Sequence, residues 1–226
     1  MKKTRNTLMK KIISTILIFI GITTIGFAQE NKAKTLLDEV ASKMGSYTNM
    51  TIAFSSSLSN EDAGIKEGDE PPIKGTIILE DEKYNLEYLG NTFIFDGKKL
   101  YVINHEEQEI AINDGDFNTD DGFIYPSKLL TFYKEGYTFS MGKLRTIKEK
   151  KIQFVELIPI DSDSDIVKVE LGINMKTKHI YKLMQTGANT SKTTFEITTF
   201  KSSQVLPKTT FTFDKASYLK KNYIID

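Results

Sequence analysis

Apolar and polar residues change rhythm along this chain, and the changes predict its elements. Residues Lys32 to Tyr47 form the one long helical pattern. Ala33, Leu36, Leu37, Val40, Ala41 and Met44 follow the i, i+3, i+4, i+7 spacing, with Lys34, Asp38, Glu39 and Lys43 on the opposite face. Gly45 supplies a stop. Such a helix must bury its apolar stripe on something larger. From Met50 onward the period falls to two. Met50, Ile52 and Phe54 alternate with Thr51, Ala53 and Ser55. A polar, acidic stretch follows from Asn60 to Pro72. Further strands are predicted at 73–79, 84–88, 92–95, 100–104, 109–112, 137–144, 152–158, 166–173, 180–185, 193–200 and 209–213. Asp96-Gly97 is the strongest hairpin turn among them, because Gly supplies positive φ and Asp tolerates it. About eleven short strands so spaced imply an antiparallel sandwich or barrel. The interruption is Tyr125 to Tyr133, YPSKLLTFY. Pro126 suits a first helical turn, and Leu129, Leu130 and Phe132 make the segment very apolar. It reads either as a helix covering the open side of a curved sheet or as an ordinary buried connection.

Residues 1–28 change where the chain is expected to live. Lys2, Lys3, Arg5, Lys10 and Lys11 precede an uncharged apolar run, and Gly26-Phe27-Ala28 places small residues at the −3 and −1 positions of a cleavage site. The expectation is an export signal removed before Gln29, leaving 29–226 as a single domain; the alternative is an uncleaved anchor. There is no cysteine to carry a lipid or form a disulfide. The formal charge of zero hides an asymmetry. The signal takes five basic and no acidic residues, which leaves 25 basic against 30 acidic and a charge of −5. That balance argues against nucleic acid and anionic lipid surfaces as partners.

Candidate chemistry is sparse. His105 and His179 lack metal-ligand spacing and read as surface residues. Asp161, Asp163 and Asp165 imitate the start of a calcium loop, but Ile166 and Gly172 stand where Gly and Glu are needed. Asp114, Asp116 and Asn118 fail in the same way at Thr119 and Tyr125. No nucleophile elbow, phosphate loop or dinucleotide fingerprint is present. No catalytic residue, metal or cofactor is therefore expected, although a glycosidase-like carboxylate pair would be invisible in one dimension. What stands out is apolar material: 14 Phe, 10 Tyr, 7 Met and no Trp. Strands such as Phe93-Ile94-Phe95 are apolar on both faces. One face could line a hollow, or both could fill a solid core.

The order of elements resembles the periplasmic outer-membrane lipoprotein carriers, the LolA-like family. The matching pieces are the helix from Lys34 to Val40, Tyr47, the Phe54 strand, Lys74-Gly75, Tyr84-Asn85-Leu86, Phe95-Asp96-Gly97-Lys98-Lys99-Leu100-Tyr101, Tyr125-Pro126-Ser127-Lys128-Leu129-Leu130 and Phe211-Thr212-Phe213-Asp214. The resemblance implies an unclosed antiparallel β-barrel with α-helices over an open, apolar concave side. It implies a periplasmic, monomeric carrier that shields the acyl chains of lipoproteins between inner and outer membrane. Its partners would be acylated lipoproteins, an inner-membrane lipoprotein-releasing transporter and an outer-membrane receptor. Cavity and lid candidates are Leu37, Val40, Met44, Phe54, Leu79, Tyr84, Leu86, Phe93, Phe95, Leu129, Leu130 and Phe132. Replacing Tyr84 by Glu is expected to abolish capture and spare the fold. One departure is plain: the family's Arg-Pro pair is replaced by Glu80-Asp81-Glu82-Lys83. That favours, as an alternative, a free-lipid-binding or envelope-sensing module on the same fold. A secreted carboxylate hydrolase is the third reading.

Overall fold

The computed structural model describes residues 31–116 and 128–226. The expected signal and the sequence from Phe117 to Ser127, with its Pro126, lie outside them.

Helix α1 (31–45) leads into β1 (Met50–Ser59). A meander follows: β2 (Ile73–Glu80), β3 (Lys83–Tyr88), β4 (Asn91–Phe95), β5 (Lys99–Asn104) and β6 (Glu109–Asp114). After a short 3-10 turn at Phe132–Lys134 a second meander runs through β7 (Tyr137–Ile147), β8 (Lys150–Pro159), β9 (Ile166–Asn174), β10 (Ile180–Gly187) and β11 (Lys192–Ser202). Helix α2 (Lys215–Lys220) and a two-residue strand β12 (Ile224–Ile225) end the chain. All twelve strands form one sheet in the order β12-β6-β5-β4-β3-β2-β1-β11-β10-β9-β8-β7. The two meanders join at the β1–β11 ladder, where Phe54 faces Ile197 across a bulge. β7 and β12 stay unpaired with each other, so the barrel is not closed. Both edges are blunted. β12 is very short, and β7 carries an irregularity beside Lys143 and Arg145.

Local chemistry explains the turns. The Asp96 carboxylate accepts hydrogen bonds from the amides of Lys98 and Lys99, each at 2.8 Å, while Gly97 takes φ +94°. Burial opposes ionisation of Asp96, but those two amides outweigh it and hold its pKa below the usual carboxylate range. The charged stretch Glu80–Lys83 is the tight β2–β3 turn, with Asp81 at φ 53°.

The alternation inside the strands sorts side chains onto two faces. On the concave face, α1 buries Ala33, Leu36, Leu37, Val40 and Met44 against Met50, Ile52, Ile77, Leu79, Tyr84 and Leu157. On the convex face Ile94, Ile103 and Ile110 form a second cluster, packed by Phe213, Tyr218, Tyr223 and Ile225. Helix α2 thus covers the outside of β4–β6, while α1 covers the inside. The stretch 209–213, expected as a strand, is instead a pair of turns after Pro207. The amides of Thr210 and Thr212 bond the carbonyls of Pro207 and Thr209, and Phe213 stacks on Tyr101 at 4.5 Å. Ring stacking on the outer face outcompetes strand pairing there.

Candidate functional site: a half-filled concave face

Apolar side chains continue along the whole concave face, but packing does not. At one end the residues under α1 close up completely. Leu37, Val40, Met44, Leu79, Tyr84 and Phe95 are all buried there. At the other end the walls leave a pocket of about 790 Å³, counting its open mouth. The cavity proper is about 140 Å³, smaller than the roughly 300–1,000 Å³ common for small-ligand sites. Its walls come from both meanders: Ile52 and Phe54 on β1, Ile77 on β2, Leu86 and Tyr88 on β3, Ile180, Leu183 and Gln185 on β10, Phe195 and Ile197 on β11. Leu129, beside the 3-10 turn, reaches it from above. No α1 side chain lines it.

The geometry of the wall is set locally. Gly75 pairs with Phe54 across β1–β2. A Cβ on Gly75 would sit 2.3 Å from the Phe54 ring, so only glycine lets that ring lie flat over β2. The ring then meets Tyr88 at 5.5 Å and Phe195 at 5.7 Å between centroids. Ser56 and Tyr88 share a hydroxyl–hydroxyl hydrogen bond of 2.8 Å at this end. Beyond them Leu58 and Ile73 are exposed at 53% and 44%, an apolar lip for the mouth. The polar loop from Asn60 is tied across the rim, where the Thr190 hydroxyl donates to Asp62 at 2.6 Å.

The twelve sequence-derived candidates fall into two groups. Phe54, Leu86 and Leu129 line the pocket. Leu37, Val40, Met44, Leu79, Tyr84 and Phe95 fill the closed end, and Phe93, Leu130 and Phe132 pack against it half-buried. Tyr84 has no exposed surface, and its hydroxyl donates to Asp116 at 2.6 Å. The expectation that a Glu there would spare the fold is therefore corrected: the charge would be buried in hydrocarbon. Sequence reasoning missed the β10–β11 half of the wall. The alternation of Leu183, Gln185, Phe195 and Ile197 was there to read, but it carried no motif.

One contact ties the 3-10 turn to α1, at a carboxylate that α1 also holds from within. Tyr133 donates from the 3-10 turn to Asp38 of α1 at 2.9 Å, and Lys34 donates to the same carboxylate at 2.6 Å. The Lys34 and Tyr133 hydrogen bonds hold Asp38 below the ordinary range, while burial and then Asp38 raise the Tyr133 hydroxyl. His179 is not a free surface residue. It shares a 2.8 Å hydrogen bond with Tyr47 and packs on Phe200 at 4.1 Å. Burial, then the charge of Lys43, lowers its pKa. His105 is exposed and bridges Thr92 and Tyr223.

No triad of His, Asp or Glu suited to a metal occurs among the described residues. No helix among them is long and apolar enough to cross a membrane.

No protein-family model and no curated protein matches the sequence. Solved structures do match in fold. An uncharacterised conserved protein from Thermus thermophilus aligns over 86% of this chain and 98% of its own, at TM-score 0.57 and 9% identity. A LolA superfamily protein from Nitrosomonas europaea covers 80% of this chain and 98% of its own, at TM-score 0.41 and 11% identity. The Mycobacterium tuberculosis lipoprotein LppX covers 77% and 98%, at TM-score 0.45 and 11% identity. The unclosed antiparallel sheet with a helix packed on its concave side is the architecture expected from the sequence. At these identities the likeness speaks for fold alone.

Proposed function

We propose that this chain is a non-enzymatic periplasmic carrier that shields the acyl chains of lipoproteins between inner and outer membrane. The observation that carries the reading is the hollow itself. An apolar pocket stays open in a face whose other end is packed solid, and its lip is apolar too. Each acyl methylene withdrawn from water is worth about 0.8 kcal/mol, so a chain of ordinary length does not cross an aqueous gap unshielded. A hollow under a movable cover suffices for that task, and no reacting group is required. The sequence supports export through its N-terminal basic and apolar pattern. A lipoprotein-releasing transporter in the inner membrane would load such a carrier, and an outer-membrane receptor would empty it. The acidic turn Glu80–Lys83, where carriers of this type place an arginine, favours free lipid as the second cargo to consider.

Native mass spectrometry of the protein purified from a periplasm tests this. A co-purifying acylated protein is the expected result. Free lipid alone would move the reading to a lipid-binding or sensing module. An empty protein that binds neither a lipopeptide nor a phospholipid would end it.

A further inference from the structure

One wall residue does not belong in a hydrocarbon pocket. Gln185 is only 4% exposed, and its Nε2 has no hydrogen-bond partner. A buried amide left unpaired is destabilising, and native proteins keep few of them. Its neighbours explain why it stays unpaired. On β9 it faces Val169, on β11 it faces Thr193, and around the pocket stand Phe54, Leu183 and Phe195. Gln185 also has a definite place along the pocket. It lies two residues before Gly187, at the end of β10, as Tyr88 lies at the end of β3. The Ser56–Tyr88 hydroxyl pair is near the same rim. The pocket is therefore two-toned: hydrocarbon over most of its wall, with polar groups toward one end.

Resting on the acyl-carrier reading above, we infer that Gln185 is the polar anchor of the pocket, its amide, sealed in the empty pocket, turning as a ligand enters to donate to the carbonyl oxygen of a bound acyl chain. The acyl tail lies against Ile52, Ile77 and Leu183, and its carbonyl is held toward the rim. A ligand with an acceptor at the head of the chain repays the buried donor, whereas a plain hydrocarbon leaves it unpaired. The donor thus raises the affinity for acyl esters and amides relative to a pocket without it. The carbonyl could belong to the lipid of a lipoprotein or to a free phospholipid, since both present the same group.

The test compares methyl laurate with pentadecane, which has the same number of heavy atoms, on the wild-type protein and on Gln185→Met. One neutral hydrogen bond predicts an ester-to-alkane affinity ratio about threefold to tenfold higher in the wild type than in Gln185→Met. Pentadecane serves as the reference that cancels any change in the wall common to both ligands. Infrared spectra of the ester labelled with carbon-13 at its carbonyl should show a lowered stretch in the wild type and its return in the variant. An affinity ratio or a lowered stretch that is the same in Gln185→Met as in the wild type overturns the assignment; the carrier reading stands in that case. If neither ligand binds the wild type, both inferences fall. A diacylated cysteine lipopeptide and a phosphatidylethanolamine of matching chains, run alongside, identify the source: the larger Gln185-dependent gain marks the cargo.

Discussion

The two ends of the concave face use the same strands and the same residue types, yet one is solid and the other hollow. Tyr84 and Leu86 stand two residues apart on β3. Tyr84 is sealed between α1 and the sheet, and Leu86 borders the pocket. The difference is what lies above. Leu37, Val40 and Met44 of α1 fill the space over Tyr84. Among the described residues, Leu129 beside the short turn is what reaches over Leu86. Among the described residues the two ends differ in what packs over them more than in the walls themselves.

The comparison breaks hardest at Tyr84. Tyr84→Glu should unfold the domain, at a cost of about 4 kcal/mol or more, because an unpaired carboxylate is forced into the closed end. A far-ultraviolet circular dichroism melt reads this directly; a native-like melt would mean the closed end is not closed. Truncations sharpen the contrast. Leu157→Ala, in the solid core, should cost about 2–5 kcal/mol in urea unfolding. Ile197→Ala, on the pocket wall, should cost about 1 kcal/mol, since it enlarges a space already empty. Its larger consequence should be weaker acyl binding. Equal costs at the two sites would mean the pocket is filled in solution.

The smallest effect is electrostatic. His179 ties the β9–β10 turn to Tyr47 at the foot of α1, with Lys43 close by. Burial first, and Lys43 second, lower its folded pKa below the ordinary value of 6.5. The unfolded chain therefore binds the proton more readily. Stability should be unaffected by this group above pH 6.5, begin to fall as pH drops through that value, and level off below the folded pKa. His179→Gln should flatten that part of a pH series of thermal midpoints. An unchanged slope would show that His179 does not sense the burial around it.

Much of the fold was legible because period-two alternation and turn chemistry act locally. Asp96-Gly97 makes its hairpin in the structure as its chemistry requires. The apolar stripe of α1 turns inward as its spacing demands. The stretch 209–213 misled because its Thr and Phe residues favour strands in isolation. Its partner is the ring of Tyr101, more than a hundred residues earlier, and nothing local announces that contact. The site was legible only in part for a similar reason. Phe54, Leu86 and Leu129 were found through their motifs, whereas Ile197 and Gln185 joined them only through the β1–β11 ladder.

By itself, then, the sequence determined the elements and the two-faced strands, because each depends on residues close together in the chain. Only the tertiary structure decided which end of the concave face is filled. That outcome depends on how far α1 reaches across strands brought together from both meanders, and on a buried amide whose lack of a partner is a property of its surroundings.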